Sequence, residues 1–332
     1  MRKLASIQTI QGLSPIHDAD VIEQARVLGW SLVVKKCEFR AGDRAVFFEI
    51  DSVLPEIPIF EFMRSKKFRV KTVRMRGCLS QGLALPVAVF PQLTELVLDV
   101  GSDVTELLGV TKFEVPESSS TSGIAAGPFP SLVPKTDEMR IQSVPDLLHE
   151  LRGVPCYATV KLDGTSATFA HHEGETWVCG RNIAFKESES NAMWKIERKI
   201  GITEKLKALG SYAVQGEICG PKIQGNPLKL SGPSFFAFNV YDIKKGQILG
   251  FGEMVRILAE LGVEMVPIER VDWVLDGETV ESLLQTAEGK YASGNPREGL
   301  VIRPMIPQYS TTLNGRASFK VISNQYLLRN EK

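Results

Sequence analysis

One stretch of this chain carries no hydrophobic period at all. From Pro116 to Pro130 it reads P-E-S-S-S-T-S-G-I-A-A-G-P-F-P. Ser, Gly and Pro dominate, which marks a linker or mobile loop and places a domain boundary there. The length of 332 residues agrees, at roughly 150 residues per domain. The expected parts are residues 1–115, a linker over 116–131, and residues 132–332.

The first part reads as all-β. Trp30 to Val34, Ala45 to Ile50, Phe68 to Met75 and Gly82 to Val87 are short β-rich runs separated by turn signals such as Arg40-Ala41-Gly42-Asp43. Strands at this spacing suggest a small barrel or sandwich, and an OB-like barrel suits the size. The last part mixes strands and helices in blocks. Tyr157 to Lys161, Thr165 to Ala170, Thr176 to Cys179, Val214 to Ile218, Phe235 to Asp242 and Gly299 to Arg303 read as strands. Asn191 to Leu209 reads as helical with a break near Gly201, and Glu253 to Leu261 as a helix stopping at Gly262. Blocks rather than regular β-α alternation favour an α+β fold with antiparallel sheets.

Composition narrows the function classes. At 43% hydrophobic and 23% charged, the chain is unlike disordered, collagenous or coiled-coil sequences. No apolar run approaches the ~20 residues of a membrane span. The start, Met1 to Ser6 followed by Gln8, Thr9 and Gln11, lacks the apolar stretch of a signal peptide. A soluble cytoplasmic protein without a membrane partner is expected. Five scattered cysteines with no C-x-x-C argue against a disulfide framework or zinc site, and most are expected to be reduced core residues. His171-His172 precede Glu173-Gly174-Glu175, which reads as a hairpin turn.

Lys+Arg and Asp+Glu balance at 39 each, yet the charges are unevenly placed. Arg64 to Arg76 reads R-S-K-K-F-R-V-K-T-V-R-M-R, with seven basic residues and no acidic one. Phe68, Val70 and Thr72 alternate with Lys67, Arg69 and Lys71; after a slip at Thr72-Val73, Val73 and Met75 alternate with Arg74 and Arg76. This is the period of a half-buried strand carrying a bulge. An edge strand kept soluble by lysines is one reading. Phosphate binding by Lys67, Arg69, Lys71, Arg74 and Arg76 is favoured, because so dense a stripe of one sign repels itself without an anionic partner.

The chain has no P-loop, and Gly250-Phe251-Gly252 lacks the third glycine of a dinucleotide loop. The informative segment is Val160-Lys161-Leu162-Asp163-Gly164-Thr165-Ser166. Asp-Gly is by itself a common hairpin signal. Behind it, in fixed order, stand Gly180-Arg181-Asn182, Gln215-Gly216-Glu217, Phe235 to Asp242 (F-F-A-F-N-V-Y-D), Glu298 to Pro304 (E-G-L-V-I-R-P) and Phe319-Lys320-Val321-Ile322. Together these resemble the ATP-dependent RNA ligases of the covalent nucleotidyltransferase superfamily, within the subgroup that carries an OB-like domain first. Leu28 to Leu54 resembles that extra domain.

The resemblance implies an α+β chain: an antiparallel-sheet nucleotidyltransferase (ATP-grasp-like ligase) domain behind an all-β OB-like barrel. It implies that Lys161 attacks the ATP α-phosphate to give lysyl-AMP, which requires a depressed lysine pKa. A bound cation and basic neighbours would supply the depression. Asp163 and Glu298 are the carboxylates expected near hydrated Mg²⁺ or Mn²⁺. Glu217 is matched to ribose, Phe238 to adenine stacking, and Lys320 to the α-phosphate charge of the transition state. Arg181 is matched to the AMP phosphate or the nucleic-acid end, and Arg303 to pyrophosphate. Lys135 to Gln142 resembles a segment before the nucleophile, making Arg140 a contact; a helix start at Thr136 explains that stretch equally well.

Two departures stand out. A second lysine is common two residues after the last motif lysine, but that position is Ile322, with Arg316 the available substitute. The chain also ends twelve residues after Lys320, which leaves no room for the C-terminal OB domain of DNA ligases and capping enzymes and favours RNA ligase. The expected activity is joining 3′-OH to 5′-phosphate ends in RNA repair, on duplex or nicked RNA or an RNA/DNA hybrid. A DNA-nick ligase and an inactive nucleic-acid-binding relative are the alternatives.

Overall fold

Short strands build the first of two units in the computed structural model, which describes residues 2–114 and 123–330. That unit comprises Met1–Val115, Ile141–Pro145 and Leu327–Lys332; the other comprises Pro116–Arg140 and Asp146–Tyr326. In the first, Ala5–Thr9, Arg44–Phe48 and Leu83–Pro86 form one antiparallel sheet, and Gly12–Pro15, Ile22–Val27 and Trp30–Lys35 a second. Trp30, Leu32 and Val34 point inward, as the period-2 pattern requires. Trp30 meets Phe47, and Phe48, Phe60 and Phe90 form an aromatic cluster beside them. The Val33 N–H donates to Ser80 Oγ at 3.0 Å, which joins the second sheet to the hairpin Thr72–Gln81.

The basic run departs from its expected form. Pro58–Lys66 is a 3-10 helix, and Lys67 and Phe68 leave it with φ of 52° and 56°. The paired strand begins only at Thr72 and runs to Met75. Its register with Cys78–Gln81 is regular, so the expected bulge at Thr72-Val73 is absent. Phe68, Val70 and Thr72 are buried as the alternation requires, but Val73 is half-buried and Met75 is 45% exposed. The hairpin extends past the core and turns at Arg76-Gly77, both with positive φ, the two-residue connection that matches strand twist.

The second unit is built on two largely antiparallel sheets, with a further two-stranded pair, Tyr309–Ser310 and Gly315–Arg316. The larger has seven strands, in the order Ala125–Pro128, Ile183–Phe185, Glu175–Cys179, Thr165–His172, Tyr212–Cys219, Ser234–Asp242 and Gln247–Ile248. The smaller has five: Met139–Arg140, Phe319–Ile322, Gly299–Pro304, Pro155–Lys161 and Ile268–Val274. Met139–Arg140 pairs in parallel with Phe319–Ile322; every other pairing in the two sheets is antiparallel. Residues 116–122 of the expected linker lie outside the described residues. Its later part is not a loop, since Ala125–Pro128 pairs with Ile183–Phe185.

Helices Ala192–Ile200, Ile202–Leu209 and Phe251–Leu261 bury Met193, Ile196, Leu206, Met254 and Ile257 in one core with Phe169, Val214 and Phe235 of the larger sheet. Asn191 caps the first helix by accepting from the Met193 and Trp194 N–H groups, and Gly201, at φ 66°, separates it from the second. Glu173-Gly174 forms the expected hairpin turn. Cys156, Cys179 and Cys219 are buried, and all five cysteines are free. No helix among the described residues is long and apolar enough to cross a membrane.

Candidate active site

Asp163-Gly164 is not a hairpin turn. Pro155–Lys161 belongs to the five-stranded sheet and Thr165–His172 to the seven-stranded one, so Leu162, Asp163 and Gly164 carry the chain between them. A Cβ at Gly164 would collide with the Ile218 carbonyl and press on Cys219 and Glu217. Glycine is needed there for close approach rather than for turn geometry. Lys161 thereby ends its strand in front of the strand that carries Glu217.

The Lys161 Nζ lies 2.8 Å from Glu298 Oε2, with both side chains largely buried. Glu298 precedes the strand Gly299–Pro304, which pairs directly with the lysine strand. Burial alone would lower the Lys161 pKa, but Glu298, Glu217 and Asp163 outweigh it, and the net direction is upward. The expectation of a depressed lysine is therefore reversed in the protein by itself, because the groups nearest the ammonium are carboxylates rather than bases. The carboxylates strain one another in turn. Burial, reinforced by Glu298, pushes Asp163 up to about 7 against the opposing pull of the Tyr326 hydrogen bond and Lys161. Burial pushes Glu217 up to about 8, with Lys161 opposing and Glu298 and Asp163 adding to it.

The opposite wall is aromatic and cationic. Strand Ser234–Asp242 slips register against Tyr212–Cys219: Gln215 faces Asn239 and Gly216 faces Ala237, leaving Phe238 as the extra, bulged residue. Its half-buried ring packs beside Leu162, Phe236 and Val266. The Arg303 guanidinium stands 5.6 Å from the Phe238 ring centroid and donates to Glu138 at 3.2 Å. The Arg303 Nε and Nη1 are buried without a partner. Arg316 reaches the same Glu138 oxygen at 2.5 Å and donates to Asn239, next to the bulge, at 3.2 Å. Burial would raise the Glu138 pKa, but Arg316 and Arg303 hold it below the ordinary range. Arg316, the substitute considered for the missing lysine, is thus part of this wall; Ile322 is buried opposite Gly299.

The segment from Pro134 to Arg140 is stitched to the same pocket. No helix starts at Thr136, whose hydroxyl lies 3.3 Å from that of Ser166. Asp137 accepts from Arg181 at 2.5 Å, and the Pro134 carbonyl accepts from Gln215 at 2.8 Å. Arg140 lies in register with Lys320, and Lys320 with Val301. Phe319 and Val321 are fully buried while Lys320 between them is half-buried, so the lysine faces away from that core. Arg140, Lys161, Asp163, Arg181, Glu217, Phe238, Glu298, Arg303 and Lys320 therefore all come from this one unit.

The stripe in the other unit does not act as one face. Arg69 pairs with Asp51 at 3.2 Å and stacks 3.6 Å from the Phe113 centroid, so its charge is already answered within the fold. Lys67, Arg74 and Arg76 are exposed and Lys71 is half-buried.

Among the described residues no three His, Cys, Asp or Glu side chains stand close enough to chelate an ion on their own. Mutually repelling oxygen donors that need water to complete a shell nevertheless fit hydrated Mg²⁺ or Mn²⁺, which one or two carboxylates hold. Asp163 and Glu298 are placed to do so. Sequence reasoning missed Glu138, Tyr326 and Tyr291. The Tyr291 hydroxyl bonds the backbones of Lys161, Asp163 and Glu298. A tyrosine flanked by Lys290 and Ala292 in a loop carries no pattern that marks it.

Comparison with known families matches residues 4–87 to an OB-fold domain and residues 154–322 to RNA ligase. Among solved structures, an apo variant of Naegleria gruberi RNA ligase is 41% identical over 99% of this chain and 98% of its own, with a TM-score of 0.92. The same ligase with PPi is 41% identical over 100% and 99%, and a variant with ATP and Mn 40% identical over 99% and 100%, both at a TM-score of 0.92. No curated protein sequence matches the chain.

Proposed function

The chain belongs to the RNA ligase family, and from that premise we propose that it reseals nicks in duplex RNA during RNA repair, joining a 3′-OH to a 5′-phosphate. It is an ATP-dependent enzyme with an OB-fold domain ahead of the ligase domain, and a DNA-nick ligase or an inactive relative is not favoured. The Naegleria ligase is seen with ATP, AMP and Mn; carried over, these give ATP as substrate and Mn²⁺ or Mg²⁺ as cofactor. The observation that carries the site assignment is the Lys161 Nζ, 2.8 Å from Glu298, facing a wall that supplies Glu217 and Phe238.

The chemistry follows from that placement. Lys161 gives its ammonium proton up to solvent, and its freed Nζ lone pair attacks the α-phosphorus of ATP. A P–N bond forms, the bond to the bridging oxygen breaks, and pyrophosphate leaves with the electron pair. A bound divalent cation supplies positive charge that offsets the carboxylates and the phosphate oxygens. Phe238 stacks on adenine and Glu217 accepts from the ribose hydroxyls. Lys320 faces the charge that grows on the α-phosphate, with Arg181 and Arg140 beside it. Arg303 turns its two unpartnered N–H groups toward phosphate oxygens. Next, a 5′-phosphate oxygen attacks the lysyl-AMP phosphorus, the P–N bond breaks, and Lys161 is restored. The 3′-OH then attacks the 5′-phosphate of the adenylylated strand and AMP departs. Lys67, Lys71, Arg74 and Arg76 hold the RNA backbone by charge, without reading sequence.

The deciding experiment incubates the protein and Lys161→Ala with α-labelled ATP and Mg²⁺ or Mn²⁺, then offers nicked RNA, nicked DNA and hybrid duplexes. Covalent label on the wild type alone, followed by sealing where the 3′-OH strand is RNA, is the expected result. Absence of label on both proteins after pyrophosphate treatment overturns the reading.

A further inference from the structure

One atom outside the motifs touches three residues inside them. The Tyr291 hydroxyl accepts from the Asp163 N–H at 3.1 Å and the Glu298 N–H at 3.0 Å, and it donates to the Lys161 carbonyl at 2.9 Å. A phenol has one hydrogen to give and two lone pairs to offer, so its capacity is spent on these three. Lys161 and Asp163 lie at the end of one strand and Glu298 at the start of another, 137 residues apart from Lys161. Their backbones meet at this oxygen.

The loop that presents the ring is stiff. Tyr291 donates its N–H to the Asn295 carbonyl at 2.9 Å and accepts from the Gly294 N–H at 2.9 Å, and Lys290 bridges to Pro296. Behind it the buried Arg297 donates to the carbonyls of Ala287, Thr286 and Glu288 and pairs with Glu269 at 2.6 Å. The Tyr291 ring itself packs with Leu162, Cys219, Phe236 and Val266. Burial raises the phenol above its ordinary range, which keeps the hydrogen it donates.

We propose that Tyr291 is the positioning residue of the adenylyl-transfer centre: its hydroxyl fixes the spacing of the Lys161 nucleophile from the Asp163 and Glu298 carboxylates. Resting on the ligase reading, this assigns to a loop tyrosine the precision that adenylyl transfer needs. A displacement of about 1 Å at a reacting centre can cost ~10²-fold in rate.

Tyr291→Phe removes the oxygen and keeps the packed ring. Four readouts are compared with the wild type: the single-turnover rate of lysyl-AMP formation, the affinity for ATP, the melting temperature, and amide hydrogen exchange. The expected result is a rate about 10- to 100-fold slower, ATP affinity within about threefold, and faster exchange at Asp163 and Glu298 but not at Val160. A wild-type rate overturns the proposal. So does a variant in which rate, affinity and melting temperature fall together, since that marks a structural role only. If the wild type itself takes no label, the ligase reading fails; exchange then decides the positioning claim, and unchanged exchange at Asp163 and Glu298 overturns it.

Discussion

The two units hold their functional charges in opposite ways. Around Lys161 the ionic groups are drawn into short pairs: the largely buried lysine with Glu298, the largely buried Arg303 and Arg316 with one Glu138, and, at the exposed rim, Arg181 with Asp137. On the hairpin of the other unit, Arg74 and Arg76 are exposed to solvent, while Arg69, just ahead of it, is drawn onto Asp51. A catalytic pocket needs its groups fixed to fractions of an ångström, which buried pairs achieve at a desolvation cost. A surface that follows a phosphate backbone needs only charge within reach.

That contrast predicts a graded response to mutation. Lys161→Ala abolishes lysyl-AMP formation while the protein still binds RNA, which filter binding and a labelling gel read side by side. Next comes Glu138→Gln, which leaves two buried guanidiniums facing each other. Breaking a buried pair of this kind costs about 3 kcal/mol, read by urea denaturation, and ATP affinity falls with it. Smaller still is a pH effect. Glu217 and Asp163 bind protons more tightly in the folded than in the unfolded chain, so their contribution is complete below the ordinary carboxylate range. It is lost as pH rises through about 7 for Asp163 and about 8 for Glu217. The melting temperature without divalent metal therefore declines between pH 5 and pH 8, and Glu217→Gln flattens that slope. The smallest effect belongs to the hairpin: Arg74→Ala with Arg76→Ala weakens RNA binding roughly 10-fold and lowers the salt slope by about 1.5. Stability and lysyl-AMP formation stay as they were. If that double variant blocks labelling, the division between fixed and loose charge is wrong.

The same contrast explains what could be read from the sequence. Strands such as Trp30–Lys35 were legible because alternating burial leaves a period, and the helices because Asn191, Gly201 and Gly262 mark their ends. The chemistry-bearing residues were legible because their types occur in one order. Asp163-Gly164 looked like a turn because the dipeptide serves turns well; the pairing of its flanking strands in two different sheets shows that it crosses between them, and the collision facing Gly164 shows why glycine is needed there. The basic strand was placed too early because a 3-10 helix has no strong period, and the helix Pro58–Lys66 takes up the start of the basic run. Glu138 reaches Arg303 and Arg316, and Tyr291 reaches Lys161 and Asp163, across more than 120 residues, a distance no local pattern encodes.

The crossing at Leu162, Asp163 and Gly164 also sets a length. Three extended residues span at most about 10 Å. The nucleophile's strand is locked in one sheet by pairing from Cys156 to Lys161, and the next is locked in the other from Thr165 onward. Chain length therefore caps how far these two strand ends can part, whatever enters between them. Lengthening that link by a single residue would widen the slot while leaving every named side chain in place, and the enzyme would keep its inventory but lose its fit.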